Sequence, residues 1–210
     1  NKAFFIFSFC LSVLLHCSFA TAENSHAFYP LPHQERGSFV AAKKIIANTN
    51  GGLWFVDAQG ALIFYDGERL DRAVDQTGEP ITGVTDAVMQ GQTLWLVKDG
   101  YAYRFLPTTA ELKRLKWQSA PLRYVISHQA GIWFASSEGL YAITDEHRQP
   151  EFMSVPESAS VTGLYSVGDS IFVAGELGIY EFRDRQFLTP RLYPRHRVTA
   201  VFEDSTEQLW

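Results

Sequence analysis

Cysteine is almost missing from this chain. Its two, Cys10 and Cys17, both lie near the N-terminus. The remainder can therefore form no disulfide, no cysteine-ligated zinc or iron–sulfur site and no thiol nucleophile. Long apolar runs are scarce as well. The stretch from Phe4 to Leu15 is well short of the roughly 20 apolar residues that a membrane-crossing helix needs. Charge of one sign never accumulates: 18 Lys+Arg stand against 23 Asp+Glu, a net charge of −5. A nucleic-acid partner would call for a basic surface, so none is expected. The chain also lacks a GxSxG elbow, an HExxH pair, a P-loop, a dinucleotide fingerprint and an EF-hand loop, which leaves no familiar catalytic signature. The histidines beyond the N-terminal segment, His26, His33, His128, His147 and His196, are scattered, with no two at metal-ligand spacing. Glu203 and Asp204 are adjacent carboxylates. On a strand they would face opposite ways, so Asp204 reads as a turn acid and not as half of an acid–base pair.

Aromatic rings are plentiful. They make up 14% of the chain, with 16 Phe, 9 Tyr and 5 Trp, which favours β-structure, where flat side chains fill pleated faces. No segment has the spacing of an amphipathic helix. The first 22 residues stand apart from the rest. Lys2, the apolar run to Leu15 and the small-x-small triplet Ala20-Thr21-Ala22 have the order of a secretory signal peptide. Cleavage is expected to leave Glu23 first. His16 before Cys17 argues against lipidation.

A repeat of about 39 residues organises the rest of the chain, and repeats define architecture before any other feature does. Trp54, Trp95, Trp133, Phe172 and Trp210 recur at intervals of 41, 38, 39 and 38. The residue before each ring is Leu53, Leu94, Ile132, Ile171 or Leu209. Eight places after the ring come Leu62, Tyr103, Tyr141 and Tyr180, and ten places after it Phe64, Phe105, Ile143 and Phe182. Gly60, Gly139 and Gly178 lie six places after it, with Gly100 one place early.

Each copy reads as strands. GLWFV, TLWLV, GIWFA and SIFVA are short apolar runs bounded by turn residues, as for strands buried on both faces. The following strand alternates, which places Tyr103 with Phe105, and each corresponding pair, on one face. The intervening glycine marks a hairpin, and Asp99-Gly100 is a strong type I′ turn signal. A strand upstream and a variable outer segment, such as residues 111–117 or 184–188, complete four strands. Four strands in roughly 40 residues make one blade of a β-propeller. The expected fold is all-β: a signal peptide over 1–22, then a partial propeller over 23–210 with about four blades and the start of a fifth. The repeated ring should wedge between neighbouring blades.

The last copy, RVTAVFEDSTEQLW, resembles the two-component regulator propeller repeat through Val198, Val201, Phe202, Asp204, Leu209 and Trp210. The downstream half of that repeat is matched by Trp133 with Gly139-Leu140-Tyr141, and by Phe172 with Gly178-Ile179-Tyr180. Asn48, Met89, Ser127 and Ser166 replace the family Asp in the other copies, and the family Gly three places before Trp survives only as Gly51. The resemblance implies the periplasmic sensor of a one-pass, membrane-anchored receptor. Such a receptor is homodimeric, carries a histidine kinase or diguanylate cyclase output beyond Trp210, and has seven or eight blades in its complete ring. It implies a small-molecule or glycan ligand, and no cofactor or catalytic residue in this segment.

Residues 183–197, RDRQFLTPRLYPRHR, hold five Arg. Arg191, Arg195 and Arg197 are the candidate ligand contacts, because guanidinium forks suit an anionic or sugar ligand. The alternative readings are an exported propeller enzyme and a propeller that only binds glycan or protein. A quinoprotein repeat would carry Thr-Gly ahead of its Trp, which these copies lack. WD-type repeats would place Asp where Phe55, Leu96 and Phe134 stand, and Kelch repeats need in every copy the double Gly seen only at Gly51-Gly52.

An arc of blades without its neighbours exposes strand edges and a wedge face. Residues 23–210 expressed alone are therefore expected to aggregate or stay partly unfolded. A monodisperse monomer with one sharp thermal transition would contradict this.

Overall fold

A computed structural model describes residues 41–117, 120–129, 131–144, 149–155, 161–175 and 178–188, and single positions at 198, 201, 204, 206 and 208. The signal-peptide segment, Trp210 and most of the fifth repeat lie outside the described residues. Those described form strands and turns, without a helix.

Four antiparallel sheets follow one another along the chain. Blade 1 contains β1 (Ala42–Ala47), β2 (Leu53–Asp57), β3 (Leu62–Tyr65) and β4 (Leu70–Arg72). Blade 2 contains β5 (Val84–Gln90), β6 (Thr93–Lys98), β7 (Tyr101–Leu106) and β8 (Glu111–Arg114). Blade 3 contains β9 (Leu122–His128), β10 (Gly131–Ser136), β11 (Gly139–Ile143) and β12 (Glu151–Ser154). Blade 4 contains β13 (Val161–Val167), β14 (Ser170–Gly175), β15 (Gly178–Arg183) and β16 (Gln186–Leu188). Strand order equals chain order in every sheet. The first strands of successive blades touch, β1 to β5, β5 to β9 and β9 to β13. Sheets that converge along their first strands are propeller blades.

The rings are wedges. The Trp54 ring of blade 1 meets Phe105 of blade 2 edge-on, with centroids 6.0 Å apart. Trp95 packs with Leu122, Val125, Ile132 and Phe134 of blade 3. Trp133 of blade 3 meets Phe182 of blade 4 at 5.4 Å. Each ring therefore points to the next blade, while its neighbours Leu94, Ile132 and Ile171 point back. A buried ring hides about 150–250 Å², at most about 4–6 kcal/mol at about 25 cal/mol/Å².

Blade 1 departs from the others in register. In blades 2 to 4 the ring pairs with the residue nine places on: Arg104, Ala142 and Glu181. In blade 1 Trp54 pairs with Phe64, ten places on. Its β2–β3 loop has one residue more, and a shift of one residue turns a strand over. Phe64 therefore lies beside its own Trp54 at 4.7 Å, whereas Phe105 and Phe182 meet the ring of the preceding blade. The aligned glycines are accordingly of two kinds. Gly60 and Gly100 end their turns at φ 81° and 78°. Each accepts a backbone bond from the next blade's first strand, Val84 N–H and Leu122 N–H, both at 2.9 Å. Gly139 and Gly178 instead begin strands.

Two features tie the first strands together. Each pairs irregularly near its start, around Lys43, Thr85, Arg123 and Thr162, as a β-bulge does. Just past the second bulge, buried Asp86 pairs with Lys44 of blade 1 and accepts from Val125 N–H of blade 3 at 2.8 Å. One carboxylate thus joins three blades.

Trp95→Ala is expected to cost about 3–5 kcal/mol in urea unfolding of the full chain. Gly60→Ala should cost more than Gly78→Ala: both have φ above 80°, but a Cβ at Gly60 would lie 2.9 Å from Val84 O, and one at Gly78 meets nothing within 4 Å. Equal losses would show that strain in φ alone decides.

Candidate functional site

The larger cavity lies on the turn-bearing rim of blades 3 and 4, with a volume of about 1170 Å³. The β9–β10 turn brings His128, and the β13–β14 turn brings Asp169 and Ser170. The end of β15 supplies Glu181 and Arg183, and Trp133 lines the gap between the blades. Strand pairing explains the grouping. Phe172 opposes Glu181, and Ser170 and Arg183 lie two residues from each along the same strands, so by the strand period of two these four share one face.

Its polar groups are largely mutually satisfied. Arg183 Nε–H donates to Ser170 Oγ at 2.8 Å, and the Ser170 hydroxyl donates to Glu181 Oε1 at 2.7 Å. The Arg183 guanidinium also pairs with that oxygen at 2.6 Å. Arg185 reaches Glu151 of blade 3. The Ser170 hydroxyl proton is held by a carboxylate and not by an imidazole, so the arrangement is not that of a Ser-His nucleophile. Among the described residues no three His, Cys, Asp or Glu side chains are grouped to hold a metal ion. The described residues of this rim present a carboxylate, a hydroxyl and a guanidinium already bonded to one another.

His128, like Arg185, bridges blades 3 and 4. Its Nδ1 lies 2.9 Å from Ser166 Oγ of blade 4. Burial pushes its pKa below the usual 6.5, while the Asp169 carboxylate opposes that shift. Two blades earlier in the arc, Thr49 Oγ1 of blade 1 reaches Gly91 O of blade 2 at 3.1 Å. Thr49 and His128 both directly follow a family-Asp position, and both fasten their blade to the next.

Two of the positions aligned with the repeat's Asp, Asn48 and Asp204, hold turns, whereas Met89, Ser127 and Ser166 lie within strands. Asn48 Nδ2–H donates to Gly51 O at 2.8 Å. Asp204 Oδ1 accepts from Thr206 N–H at 2.8 Å, Thr206 Oγ1–H at 2.6 Å and Gln208 N–H at 3.1 Å. Asp75, in the connection between blades 1 and 2, repeats that pattern with Thr77 and Glu79. The Thr77 hydroxyl holds the Asp75 carboxyl below the usual carboxylate range.

Arg191, Arg195 and Arg197 lie outside the described residues, as do His26, His33, His147 and His196. Sequence reasoning passed over the Ser170–Glu181–Arg183 set. Its one signal was the alternation of polar residues opposite the ring strand, Glu181 and Arg183 flanking Phe182.

No protein-family model matches this sequence, and no curated protein sequence matches it. Solved structures do match. One is the extracellular domain of a B. thetaiotaomicron protein named for a hybrid two component system, at 15% identity and TM-score 0.67, over 84% of this chain and 26% of that one. A second such extracellular domain, also from B. thetaiotaomicron, matches at 15% identity and TM-score 0.63, over 84% of this chain and 28% of that one. A β-propeller domain from Myceliophteria thermophila matches at 15% identity and TM-score 0.62, over 85% of this chain and 63% of that one. The fold is a β-propeller of four-stranded blades. The chain spans about a quarter of the length of the two B. thetaiotaomicron domains.

A His with a depressed native pKa binds fewer protons folded than unfolded. Stability is then fully present above the unfolded value near 6.5 and falls as pH drops below it. Thermal unfolding of the full chain should show this loss as pH falls from about 7.5 to about 5.5, on the order of one pH unit either side of that value. His128→Asn, which keeps a polar group near Ser166, should reduce the slope; an unchanged slope would assign it to other groups.

Proposed function

We propose that this chain is the N-terminal, periplasmic ligand-sensing propeller of a transmembrane signal-transduction receptor, with a histidine kinase or diguanylate cyclase as output. The observation that carries the reading is the match of 84% of this chain to extracellular domains named for hybrid two component systems. The signal-peptide pattern of residues 1–22 supports export. Among the described residues no helix is long and apolar enough to cross a membrane, so anchoring falls to a segment other than these blades.

In this reading a small-molecule or glycan ligand binds one arrangement of the propeller better than another. That difference biases a membrane-connected homodimer, and its size limits the signal. The cluster of Arg191, Arg195 and Arg197 is the proposed contact for an anionic or sugar group, with no cofactor required.

The test is the gene downstream of codon 210. Further blades, then a span of about 20 apolar residues and a kinase or cyclase module are the expected result. A stop codon after the last blade, without a span, would overturn the receptor reading. With a responsive receptor in hand, Arg195→Ala together with Arg197→Ala should weaken the ligand response; an unchanged response would remove those residues from the site.

A further inference from the structure

A second cavity, of about 430 Å³, opens between blades 2 and 3. One wall is a row across three strands of blade 2. Trp95 pairs with Arg104 and Arg104 with Lys113, so the three side chains stand side by side on the face turned to blade 3. The chain then leaves β8 through Lys116 to Trp117, whose ring packs edge-on against Phe134 and Tyr141 of blade 3 at 5.5 and 5.1 Å. Gln149, in the connection that enters β12, helps close the far side.

The lining is unbalanced in two ways. First, it is cationic. Arg104 has Glu111 at 3.6 Å, but Lys113 and Lys116 have no carboxylate partner among the described residues. Arg114, at the same rim, is stacked on the Tyr101 ring at 3.5 Å and not paired with an acid. Second, it is aromatic, since the Trp95 and Trp117 indoles both line it. Two indoles and two ammonium groups thus border a space of ligand size. Such a lining repels cations, and a neutral apolar guest would leave its charges unmatched.

We propose that this inter-blade groove binds a ring-bearing carboxylate. Lys113 and Lys116 hold the anion, and the ring lies against the indoles of Trp95 and Trp117. Carboxylate suits this lining because ammonium and guanidinium donors form their stronger hydrogen bonds with ionised acceptors. The groove shares no lining residue with the turn rim of blades 3 and 4 among the described residues. The inference goes beyond the receptor reading and does not depend on any signalling output.

The test is calorimetric titration of the full-length protein with glucuronate and benzoate, and with glucose, benzyl alcohol and inorganic sulfate as comparisons. At least one carboxylate is expected to bind, and added salt should weaken it. Lys113→Gln together with Lys116→Gln should weaken it by about tenfold or more. Both lysines are exposed, so the melting temperature should not move. Glucuronate alone would identify a sugar acid, and benzoate alone an aromatic acid. Three results would each overturn the proposal: no carboxylate binding up to about 10 mM, neutral rings or sulfate binding as tightly as the carboxylates, or an unchanged affinity in the double variant.

Discussion

Each blade is a sheet with two apolar faces, and neither can be left in water. The structure resolves this by pointing one ring per blade at the next blade and a pair of aliphatic or aromatic groups back at the previous one. Trp54 against Phe105 and Trp133 against Phe182 are two instances of one contact. Because the contact has a direction, it also sets the order in which blades stack. Without disulfides in the folded part, inter-blade burial carries the cohesion that cross-links supply in many exported domains. The polar links extend the same logic. Gly60 and Gly100 pass backbone bonds forward to the next blade, and Asp86 joins three first strands.

That arrangement also decides where chemistry can sit. Blade faces are occupied by packing, so polar groups collect at the rims, where turns and strand ends emerge. At the turn rim of blades 3 and 4, Arg183, Ser170 and Glu181 satisfy one another. In the groove between blades 2 and 3 the lysines have no acid partner among the described residues. Two rim regions of one propeller thus differ in what they ask of a ligand. The first is electrostatically closed; the second is open to an anion.

Much of the architecture was legible beforehand. Five rings at near-constant spacing marked the blades, and alternation around Tyr103 and Phe105 marked the third strand. The alignment misled in one respect. Leu62 and Phe64 sit at the same offsets as Tyr103 and Phe105, yet they face the other way because one loop is a residue longer. Offsets count residues, whereas faces depend on register, and a period of two makes a one-residue difference decisive. Likewise Gly60 and Gly139 share an offset but not a role. The bulges of the first strands leave no distinctive signal, since Lys43, Thr85, Arg123 and Thr162 are two basic residues and two threonines, and neither type marks a bulge by itself. Asp204 was readable as a turn acid because Asx turns are local.

The sequence by itself determined the repeat, the strand count per blade, the wedge residues and the absence of cysteine chemistry. These are periodic or compositional properties, and they survive without coordinates. Tertiary structure alone decided which face each third strand shows, that His128 meets Ser166, and that Asp86 serves three blades. It also decided that Trp95, Arg104 and Lys113 form one row that Trp117 faces from the end of β8. Those groups lie far apart in the chain or belong to different sheets. Their meeting depends on register and on the angle between blades, which no local pattern encodes.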